Sequence, residues 1–392
     1  MSGAGPFHAT LSPAEQRLVE GAQRFATDDL SPITCLDIPT HLDLLRRACH
    51  AGLAGIEVPQ AMGGAGASFY TRMRVCEELA NGHAGFAFSL VNHHNIIARV
   101  AQSGHPELQR ALIAPMLAGT RVGCTAMTEP QSGSDFAAMQ TRAVRSNGGW
   151  VLDGGKAWIT NAAFADVFLV YAQTDPDAGA AGIAGFIVLA EDDGFKRSDA
   201  YTASGIEGMG VGGFELKDCW IPEERVLYAP GSGFRSAMRG VNQARVHVAA
   251  MNASLVEQAL NTALEYTTSR RAFNQKIAEF QGIGWSLADV ATHLHAMRLL
   301  AHSAACTIDA GEDAQVAAAM AKKYANDHAA HAILACMQAM GAQGMTQESG
   351  LARLLGWAKA FCYTDGTPEM MNERIIRNML KRINLKRKDA EM

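Results

Sequence analysis

RVGCTAMTEPQSGSD, residues 121–135, marks the point where the pattern along the chain changes. Before it, apolar residues recur at three- and four-residue spacing, which is typical of amphipathic helices. After it, β-branched and aromatic segments such as VFLVYAQT (167–174) and GIAGFIVLA (182–190) alternate with turn residues, which favours strands. The pattern therefore predicts that a helical region ends near residue 120 and that a sheet begins at residue 121.

Residues 1–120 are predicted to form an N-terminal α-helical domain. Ser12-Pro13-Ala14-Glu15 matches a capping box with proline at the first helical position, which is a start signal for a helix. The glycine-rich MGGAGAS (62–68) lacks a βαβ context, so it is interpreted as a tight turn between helices. Helical periodicity is found near residues 39–52, 68–83, 84–103 and 106–118.

Residues 121–228 are predicted to form a middle antiparallel β-barrel, because short β-rich segments are separated by Asn-Gly, Gly-Gly and Asp-Gly turns. Helical periodicity returns near Gly233, and residues 229–392 are predicted to form a C-terminal four-helix bundle. The fold class is thus an α+β multidomain protein. The bundle helices are expected near residues 233–269, 280–308, 313–341, 349–363 and 368–384.

Composition limits the classes of function. The chain has 392 residues, 48% of them hydrophobic, so it can bury a large core. The formal net charge of −5 argues against a broad polyanion-binding surface, and nucleic acid is not an expected partner. The basic segment RIIRNMLKRINLKRK (374–388) could contact polyanions, but the acidic balance of the whole chain favours a solvated helix end.

The eight cysteines are scattered without a Cys-x-x-Cys pair, which indicates reduced thiols in a cytoplasmic protein. The first residues lack a basic region followed by an apolar stretch, so no secretory signal is expected. No run of about 18 apolar residues occurs, so no membrane span is expected. The histidine pairs at 293/295 and 328/331 have no acids or cysteines that complete a site, so no metal is expected.

Five short segments stand out by residue type. The loop TEPQSGSD (128–135) exposes hydroxyls and backbone N–H groups that suit a phosphate or a polar ring edge, although an ordinary polar loop has the same composition. In KAWITN (156–161), strand alternation predicts that Trp158 and Thr160 lie on one face. The other segments are SRRAF (269–273) with Phe280-Gln281, QAMGAQGM (338–345) and YTDGTPE (363–369).

In this order and spacing, the five segments resemble the acyl-CoA dehydrogenase family across nearly the whole chain. The family motifs are Thr-Glu-Pro-x-x-Gly-Ser-Asp, Trp-Ile-Thr, Arg-x-x-Phe with a following Gln, and Gln-x-x-Gly-small-x-Gly. They are matched by residues 128–135, 158–160, 270–281 and 338–344. The family fold, a helical domain, a β-barrel domain and a four-helix bundle, agrees with the pattern along this chain.

The resemblance implies an FAD enzyme with its cofactor in a cleft between the middle and C-terminal domains. Trp158 is expected against the isoalloxazine ring, with the Thr160 hydroxyl near flavin N5. The loop residues expected at the ring edge and the ligand are Ala126, Met127, Thr128 and Ser134. Further cofactor contacts are expected from Gly366, Thr367 and Glu369, which follow the catalytic acid.

The resemblance also implies an oligomer, because part of the FAD site comes from a neighbouring subunit in this family. The expected state is a homodimer or a homotetramer. The residues assigned to this part of the cofactor site are Arg270, Phe273, Gln281, Gln338, Gly341 and Ala342.

The substrate implied by the resemblance is an acyl thioester, carried by CoA or by a carrier protein. The family motif Asp-x-x-Arg reads Asn242-Gln243-Ala244-Arg245 here, so Arg245 is retained and the acid is not. Substrate contacts are expected from Ser134, Asn242, Arg245 and Gly366. An electron-transfer flavoprotein is the expected electron acceptor, and fatty acid metabolism is the expected context.

The chemistry requires a base, because the α-hydrogen of a thioester is only weakly acidic. The resemblance assigns this role to Asp365, and assigns to its backbone N–H one of the two donors that hold the thioester oxygen. Most relatives carry glutamate in this position, and others use a glutamate at the position of Ala244, which has no carboxylate here. The shorter aspartate falls roughly 1.3–1.5 Å short unless the backbone approaches the substrate.

Three interpretations of Asp365 are open at this point. The site is shifted and fully competent, which is the favoured interpretation; the substrate is unusual or already acidic at its α-carbon; or dehydrogenation has been lost and Asp365 caps a helix. Three functions are considered. The first is an acyl-CoA dehydrogenase. The second is a dehydrogenase of a carrier-protein thioester, or a flavin oxidase or monooxygenase on the same fold. The third, which rests on the shortened base and the basic tail, is a non-catalytic flavin- or nucleic-acid-binding relative.

Overall fold

The chain divides into two compact units in a computed structural model that describes residues 9–33, 36–203 and 208–391. The bundle unit comprises Met1–Leu11, Cys76–Ala84 and Val241–Met392, and the sheet unit comprises Ser12–Val75 and Gly85–Gly240. The boundaries predicted at residues 120 and 228 remain predictions. Cys35 lies outside the described residues, and the other cysteines are thiols rather than halves of a disulfide.

The N-terminal helices begin and end close to the predicted residues. Ser12 accepts a hydrogen bond from the backbone N–H of Glu15, whose carboxylate accepts one from the backbone N–H of Ser12, so the predicted capping box is confirmed. A single π-turn, Ala26–Leu30, continues the first helix. The helices are α1 (Pro13–Phe25), α2 (Ile38–His50), α3 (Phe69–Gly82), α4 (Ala84–Ser103) and α5 (Pro106–Leu117).

An eight-stranded sheet fills the middle of the chain within the described residues. Most neighbours are antiparallel, while β1 and β2 each pair with β4 in parallel. The ladders run along the path β6-β7-β3-β2-β4-β5-β8, and this pattern by itself does not close the predicted barrel. The strands are β1 (Gly123–Ala126), β2 (Arg142–Ser146), β3 (Gly149–Ile159), β4 (Val167–Gln173), β5 (Ile183–Leu189), β6 (Phe195–Arg197), β7 (Gly212–Pro222) and β8 (Val226–Tyr228).

One of the predicted turns is wrong. Asn147-Gly148, with φ of 42° and 76°, forms the hairpin between β2 and β3, as the Asn-Gly signal predicts. Gly154-Gly155 instead lies inside β3, where the register shifts in a β-bulge. At Gly154 φ is 144°, and a Cβ would lie 2.6 Å from the Cα of Thr141. The glycine pair therefore serves a bulge and a close backbone approach rather than a turn.

The bundle helices also agree with the predicted periodicity. Alanines such as Ala318, Ala325 and Ala329 are fully buried on α8, which lets it pack closely against its neighbours. None of the helices in the described part of the chain has the length and apolar character needed to cross a membrane. The helices are α6 (Gly233–Ser269), α7 (Gln281–Asp309), α8 (Gln315–Met340), α9 (Leu351–Phe361) and α10 (Pro368–Glu391).

Arg298 joins three helices of the bundle unit. Its Nε donates to the carboxylate of Glu77 on α3 at 2.6 Å, and its two Nη atoms donate to both oxygens of Glu257 on α6 at 2.9 and 2.7 Å. Glu77 is buried, and Arg298 is one of the partners that stabilise its charge. Burial opposes the charged form of Arg298, but Glu77 and Glu257 outweigh it and hold the pKa of this guanidinium above its usual value.

We expect Arg298→Ala to destabilise the protein by about 3 kcal/mol, because it removes a cation that contacts both the buried Glu77 carboxylate and the Glu257 carboxylate. The midpoint of urea unfolding at pH 7 measures this loss. The control is Arg377→Ala, which breaks an exposed pair with Glu373 on α10 and should cost less than about 1 kcal/mol. Equal midpoints for the two variants would contradict the structural role of Arg298.

Candidate active site

The loop after β1 is shaped by a buried ion pair in the sheet unit. The Lys156 ammonium donates to the Glu129 carboxylate at 2.8 Å and to the backbone carbonyl of Met127 at 3.1 Å. The same carboxylate accepts the backbone N–H groups of Gln140 at 2.6 Å and Thr141 at 3.0 Å. Glu129 therefore works as an internal template around which the chain from 127 to 141 turns.

The ion pair is charged on both sides. Burial raises the pKa of Glu129, but the Lys156 ammonium and the hydrogen bonds from Thr141 and Gln140 outweigh burial and hold it below its usual value. Burial lowers the pKa of Lys156 to about 8, against the opposing attraction of Glu129. A buried pair of this kind is costly to break, because the remaining charge would have no partner.

The loop lies beside the end of β3. The Thr128 carbonyl accepts the backbone N–H of Ala157 at 3.0 Å, which holds the loop against the strand. Ala126 is buried, Met127 and Thr128 are half-buried, and Ser134 is exposed. The side chain of Ser134 and the outer edge of the loop are thus available to a ligand.

Trp158 projects from a distorted strand end. Its φ is 59°, and it lies within the register shift between Lys156 and Ile159. The indole is 60% exposed, whereas Thr160, after the last residue of β3, is 8% exposed. The prediction that both side chains share one strand face is therefore wrong, because strand alternation does not pass through a left-handed residue.

Aromatic and amide contacts support this strand end. The Trp158 and Tyr201 rings lie 4.6 Å apart and tilted by 50°. Asn161, buried with φ of 68°, donates from its amide to the carbonyls of Ser89 at 3.0 Å and Gly123 at 3.2 Å, and accepts from the Ser89 hydroxyl at 2.6 Å. An exposed indole on a fixed backbone can stack against a flat ring.

In the bundle unit, the predicted base lies on the turn between α9 and α10. Asp365 has φ of 53° and Gly366 has φ of 97°, so both residues are left-handed. Aspartate is among the few side chains that tolerate this conformation. The side chain of Asp365 is partly buried. Pro368 then starts α10, as expected for a proline at the first position of a helix.

Arg245 on α6 holds the backbone of this turn. Its Nε donates to the Asp365 carbonyl at 3.1 Å, and its Nη1 donates to the Asn242 side-chain oxygen at 3.1 Å. Burial lowers the pKa of Arg245 to about 10, with the Asp365 carboxylate opposing and Arg374 adding to this shift. Three of the predicted substrate residues, Asn242, Arg245 and Gly366, thus meet at the turn.

A second cation reaches the same turn from α8. Lys322 is completely buried, and its ammonium donates to the Gly366 carbonyl. Burial lowers the pKa of Lys322 to about 8, although the Asp365 carboxylate opposes this shift. Sequence reasoning missed both Lys322 and Lys156. The sequence signal for Lys322 was a lysine within an alanine-rich helix, and the signal for Lys156 was a lysine within a strand of alternating residues.

Thr367 and Glu369 lie at the start of α10. Glu369 is exposed, and a hydrogen bond from the Thr367 side chain holds its pKa below the usual value. Together with Gly366, these residues form a polar rim next to Asp365 along the chain. Such a rim suits the polar end of a cofactor better than an apolar chain.

The remaining predicted cofactor residues lie on exposed positions of the bundle unit. Arg271–Ala272 (β9) and Gln275–Lys276 (β10) form a short hairpin with Phe273 at its tip, where the side chain is 90% exposed. Helices α7 and α8 run antiparallel through a short link, so the start of α7 lies near the end of α8. The exposed residues at these positions are Arg270, Phe273, Gln281, Gln338, Gly341 and Ala342.

Each unit therefore assembles its own part of the predicted site. The sheet unit holds Ala126, Met127, Thr128, Ser134, Trp158 and Thr160, and the bundle unit holds Asn242, Arg245, Asp365, Gly366, Thr367 and Glu369. The first set offers a flat aromatic face beside polar loop atoms. The second offers a carboxylate, that of Asp365, on a turn in which Arg245 holds the carbonyl of Asp365 and a second cation holds the carbonyl of Gly366.

Comparison with known proteins gives three matching family models in the same order. They are the acyl-CoA dehydrogenase N-terminal domain at residues 12–120, the middle domain at 124–219 and the C-terminal domain at 231–380. Together they cover most of the chain.

Relatives and solved structures agree with the models. An acyl-CoA dehydrogenase of Bacillus subtilis is 33% identical, over 86% of this chain and 89% of its own. Butyryl-CoA dehydrogenase from Megasphaera elsdenii is 29% identical with a TM-score of 0.90, over 95% of this chain and 99% of its own. An FAD complex of PigA is 28% identical with a TM-score of 0.89, over the same shares. The chain belongs to the acyl-CoA dehydrogenase family.

Proposed function

We propose that this FAD-dependent acyl-CoA dehydrogenase, which converts an acyl-CoA to its 2-enoyl-CoA, uses Asp365 as the base that removes the α-proton. One observation carries the proposal: Asp365 lies on a turn, and its own backbone carbonyl is fixed by Arg245. Arg245 is the residue of the family motif Asp-x-x-Arg that this chain retains. Ala244, the position of the alternative base, has no carboxylate. Asp365 is thus the acid that remains at a matched position.

The residues of the sheet unit fit a flavin. The exposed Trp158 indole offers a stacking face, and the loop held by Lys156 and Glu129 presents backbone and hydroxyl groups at its edge. The proposed contacts are those of Ala126, Met127, Thr128, Ser134, Trp158 and Thr160. FAD, when bound, supplies a hydride acceptor for the β-hydrogen.

The chain's own part in the reaction is to bind the thioester, orient it and take the proton. In the proposed mechanism the Asp365 carboxylate takes the α-proton, and its backbone N–H donates to the thioester oxygen, where negative charge develops. The Arg245 contact to the carbonyl of the same residue, Asp365, limits rotation of this backbone. Asn242, Arg245, Ser134 and Gly366 are proposed to contact the substrate.

The shorter side chain is proposed to be the working base rather than a remnant. A left-handed φ of 53° is easier for aspartate than for longer residues, and it presents the carboxylate from a tightly held turn. A turn whose two carbonyls are held by Arg245 and Lys322 can hold a short acid in place without the reach of glutamate. This supports the interpretation of a shifted and competent site.

We expect Asp365→Asn to slow substrate-dependent bleaching of the flavin by roughly a hundredfold to ten-thousandfold, because the base is lost. Asp365→Glu should also be slower, by about a hundredfold, because the longer acid overshoots a site built for aspartate. Anaerobic stopped-flow absorbance with a panel of acyl-CoA chain lengths measures both rates. The control is Asp289→Asn on the exposed side of α7, which should leave the rate unchanged.

The two variants answer separate questions. Wild-type rates in Asp365→Asn would exclude Asp365 as the base. A faster reaction in Asp365→Glu would instead mean that the site is built for the longer acid and that aspartate removes the α-proton more slowly than glutamate does there.

We expect Lys156→Met to weaken FAD binding at least tenfold, because it leaves Glu129 buried without its cation and frees the Met127 carbonyl. Titration of the apoprotein with FAD measures the dissociation constant. Adding Glu129→Gln to Lys156→Met should recover part of the affinity, since no buried charge then remains. The control is Lys196→Met, an exposed lysine on β6. Unchanged affinity in Lys156→Met would refute the template role of the ion pair.

The assembly is proposed to be a homodimer or homotetramer in which the exposed end of the bundle unit completes the FAD site of a neighbouring subunit. Arg270, Phe273, Gln281, Gln338, Gly341 and Ala342 are exposed in the single chain, as this role requires. Cysteines that form no disulfide among the described residues, most of them buried, fit a reducing, cytoplasmic location. The proposed electron acceptor is an electron-transfer flavoprotein, and the proposed context is fatty acid metabolism.

We expect Phe273→Ser to lower both the oligomer mass and the amount of bound FAD, because it removes an aromatic anchor that is 90% exposed in one chain. Size-exclusion chromatography with light scattering gives the mass, and the visible spectrum gives the FAD content. The control is Val144→Ser, which removes another exposed apolar side chain from the sheet unit. An unchanged mass with full FAD content would contradict the role of the hairpin.

A further inference from the structure

Lys322 carries its charged side chain in an unfavourable position, inside the bundle unit. It lies on α8 among buried alanines, and none of its side chain is exposed. Burial of an ammonium strongly destabilises a protein unless partners compensate for the lost water. The next residue, Lys323, is partly exposed and pairs with Asp327 along the same helix. Of these two adjacent lysines, one faces solvent and one is directed into the bundle unit.

The partner of the buried ammonium is the turn that carries Asp365. Lys322 donates to the Gly366 carbonyl, while Asn326, one helical turn later, donates to the Phe361 carbonyl at 3.5 Å. Asn326 is itself held by the Asn252 amide at 2.9 Å. Two buried polar side chains of α8 therefore hold the segment 361–366, one at each end of the segment.

We propose that Lys322 is the positioning residue for the base: its ammonium fixes the Gly366 carbonyl and, through its charge, keeps the neighbouring Asp365 carboxylate ionised and in place. The inference rests on the proposed role of Asp365. It assigns to Lys322 a task that Arg245 cannot perform alone, because Arg245 holds the carbonyl of Asp365 and Lys322 holds that of Gly366.

The surrounding charges support this assignment. The Asp365 carboxylate interacts electrostatically with Arg245 from α6 and with Lys322 from α8. Arg374 from α10 acts on Arg245, and Arg245 and the Cys362 thiol after α9 act on Lys322. Asp365 raises the pKa of both Arg245 and Lys322 against their burial, so the attraction to the carboxylate is mutual. A cation beside a carboxylate favours its ionised form. Loss of the ammonium should therefore move protonation of the base to higher pH.

Deuterium exchange into acetyl-CoA isolates the step at the base. Acetyl-CoA has α-hydrogens but no β-carbon, so no hydride can leave it. In D₂O the carboxylate takes an α-proton, the C–H bond breaks, and the exchanged carboxyl group returns a deuteron to the same carbon. Nuclear magnetic resonance of the acetyl group measures this rate in the FAD-loaded enzyme, from about pH 5 to pH 9.

Three variants separate the charge from the hydrogen bond. Lys322→Met removes both, Lys322→Gln removes the charge and keeps a donor, and Lys322→Arg keeps both. Lys323→Met is the matched control, since it removes one charge from the same helix at the solvent-facing neighbour. The affinity for acetyl-CoA is measured alongside, because a positioning residue should change the rate more than binding.

At low pH the exchange rate falls as the base is protonated, and this fall is called the acid limb. We expect the acid limb to move to higher pH by about one unit or more in Lys322→Met and Lys322→Gln, because a nearby opposite charge shifts the pKa of a carboxyl group by roughly one to three units. At pH 7 the rate in Lys322→Met should also fall by at least about tenfold, because the turn is no longer held. Lys322→Arg should keep the limb closer to that of the wild type. Lys323→Met should leave both limb and rate unchanged.

An unmoved acid limb in Lys322→Gln, in protein that binds FAD normally, overturns the inference, as does an equal shift in Lys323→Met. If Lys322→Met does not fold, the comparison of Lys322→Gln with Lys322→Arg still decides the role of the charge. Asp365→Asn distinguishes a failure of the proposed base, Asp365, from a failure of the proposed positioning residue, Lys322. If that variant exchanges at the wild-type rate, the base itself is misassigned; if it is inactive while the Lys322 variants match the wild type, only the role of Lys322 fails.

Discussion

The proposed chemistry depends on how one backbone turn, at Asp365 and Gly366, is held. Asp365 and Gly366 are both left-handed, and such a turn between two helices is stable only where its peptide groups have partners. Arg245 and Lys322 supply these partners to two successive carbonyls. The same cations attract the Asp365 carboxylate, so the contacts that fix the backbone also favour the charged form that the proposed base requires.

The sheet unit uses a similar device. Lys156 is as deeply buried as Lys322, and it too donates to a main-chain carbonyl, that of Met127. In this case the counter-charge, Glu129, is in direct contact and collects two backbone N–H groups as well. A buried lysine suits this task because a small ammonium with several donors can join a carboxylate and a carbonyl at once.

The sequence predicted most of the helices to within a few residues, since their periodicity, caps and prolines are local signals, although α10 continues to Glu391 rather than ending near residue 384. It failed where the backbone departs from regular geometry. Gly154-Gly155 forms a bulge rather than a turn, and the left-handed φ of Trp158 breaks the alternation that would place it with Thr160. The site motifs were recognisable, but Lys156 and Lys322 were not, because their roles depend on partners distant in the sequence.

Two departures from the family pattern, Asn242 and Asp365, are linked through Arg245. The guanidinium donates to the amide oxygen of Asn242 and to the carbonyl of Asp365. A carboxylate at 242 would neutralise Arg245 directly, whereas an amide orients it and leaves its charge in place. The charge that opposes the effect of burial on the pKa of Arg245 comes from Asp365. An amide rather than an acid at 242 therefore strengthens the cationic surroundings of Asp365, the proposed base. In that proposal the two departures are physically coupled rather than independent losses.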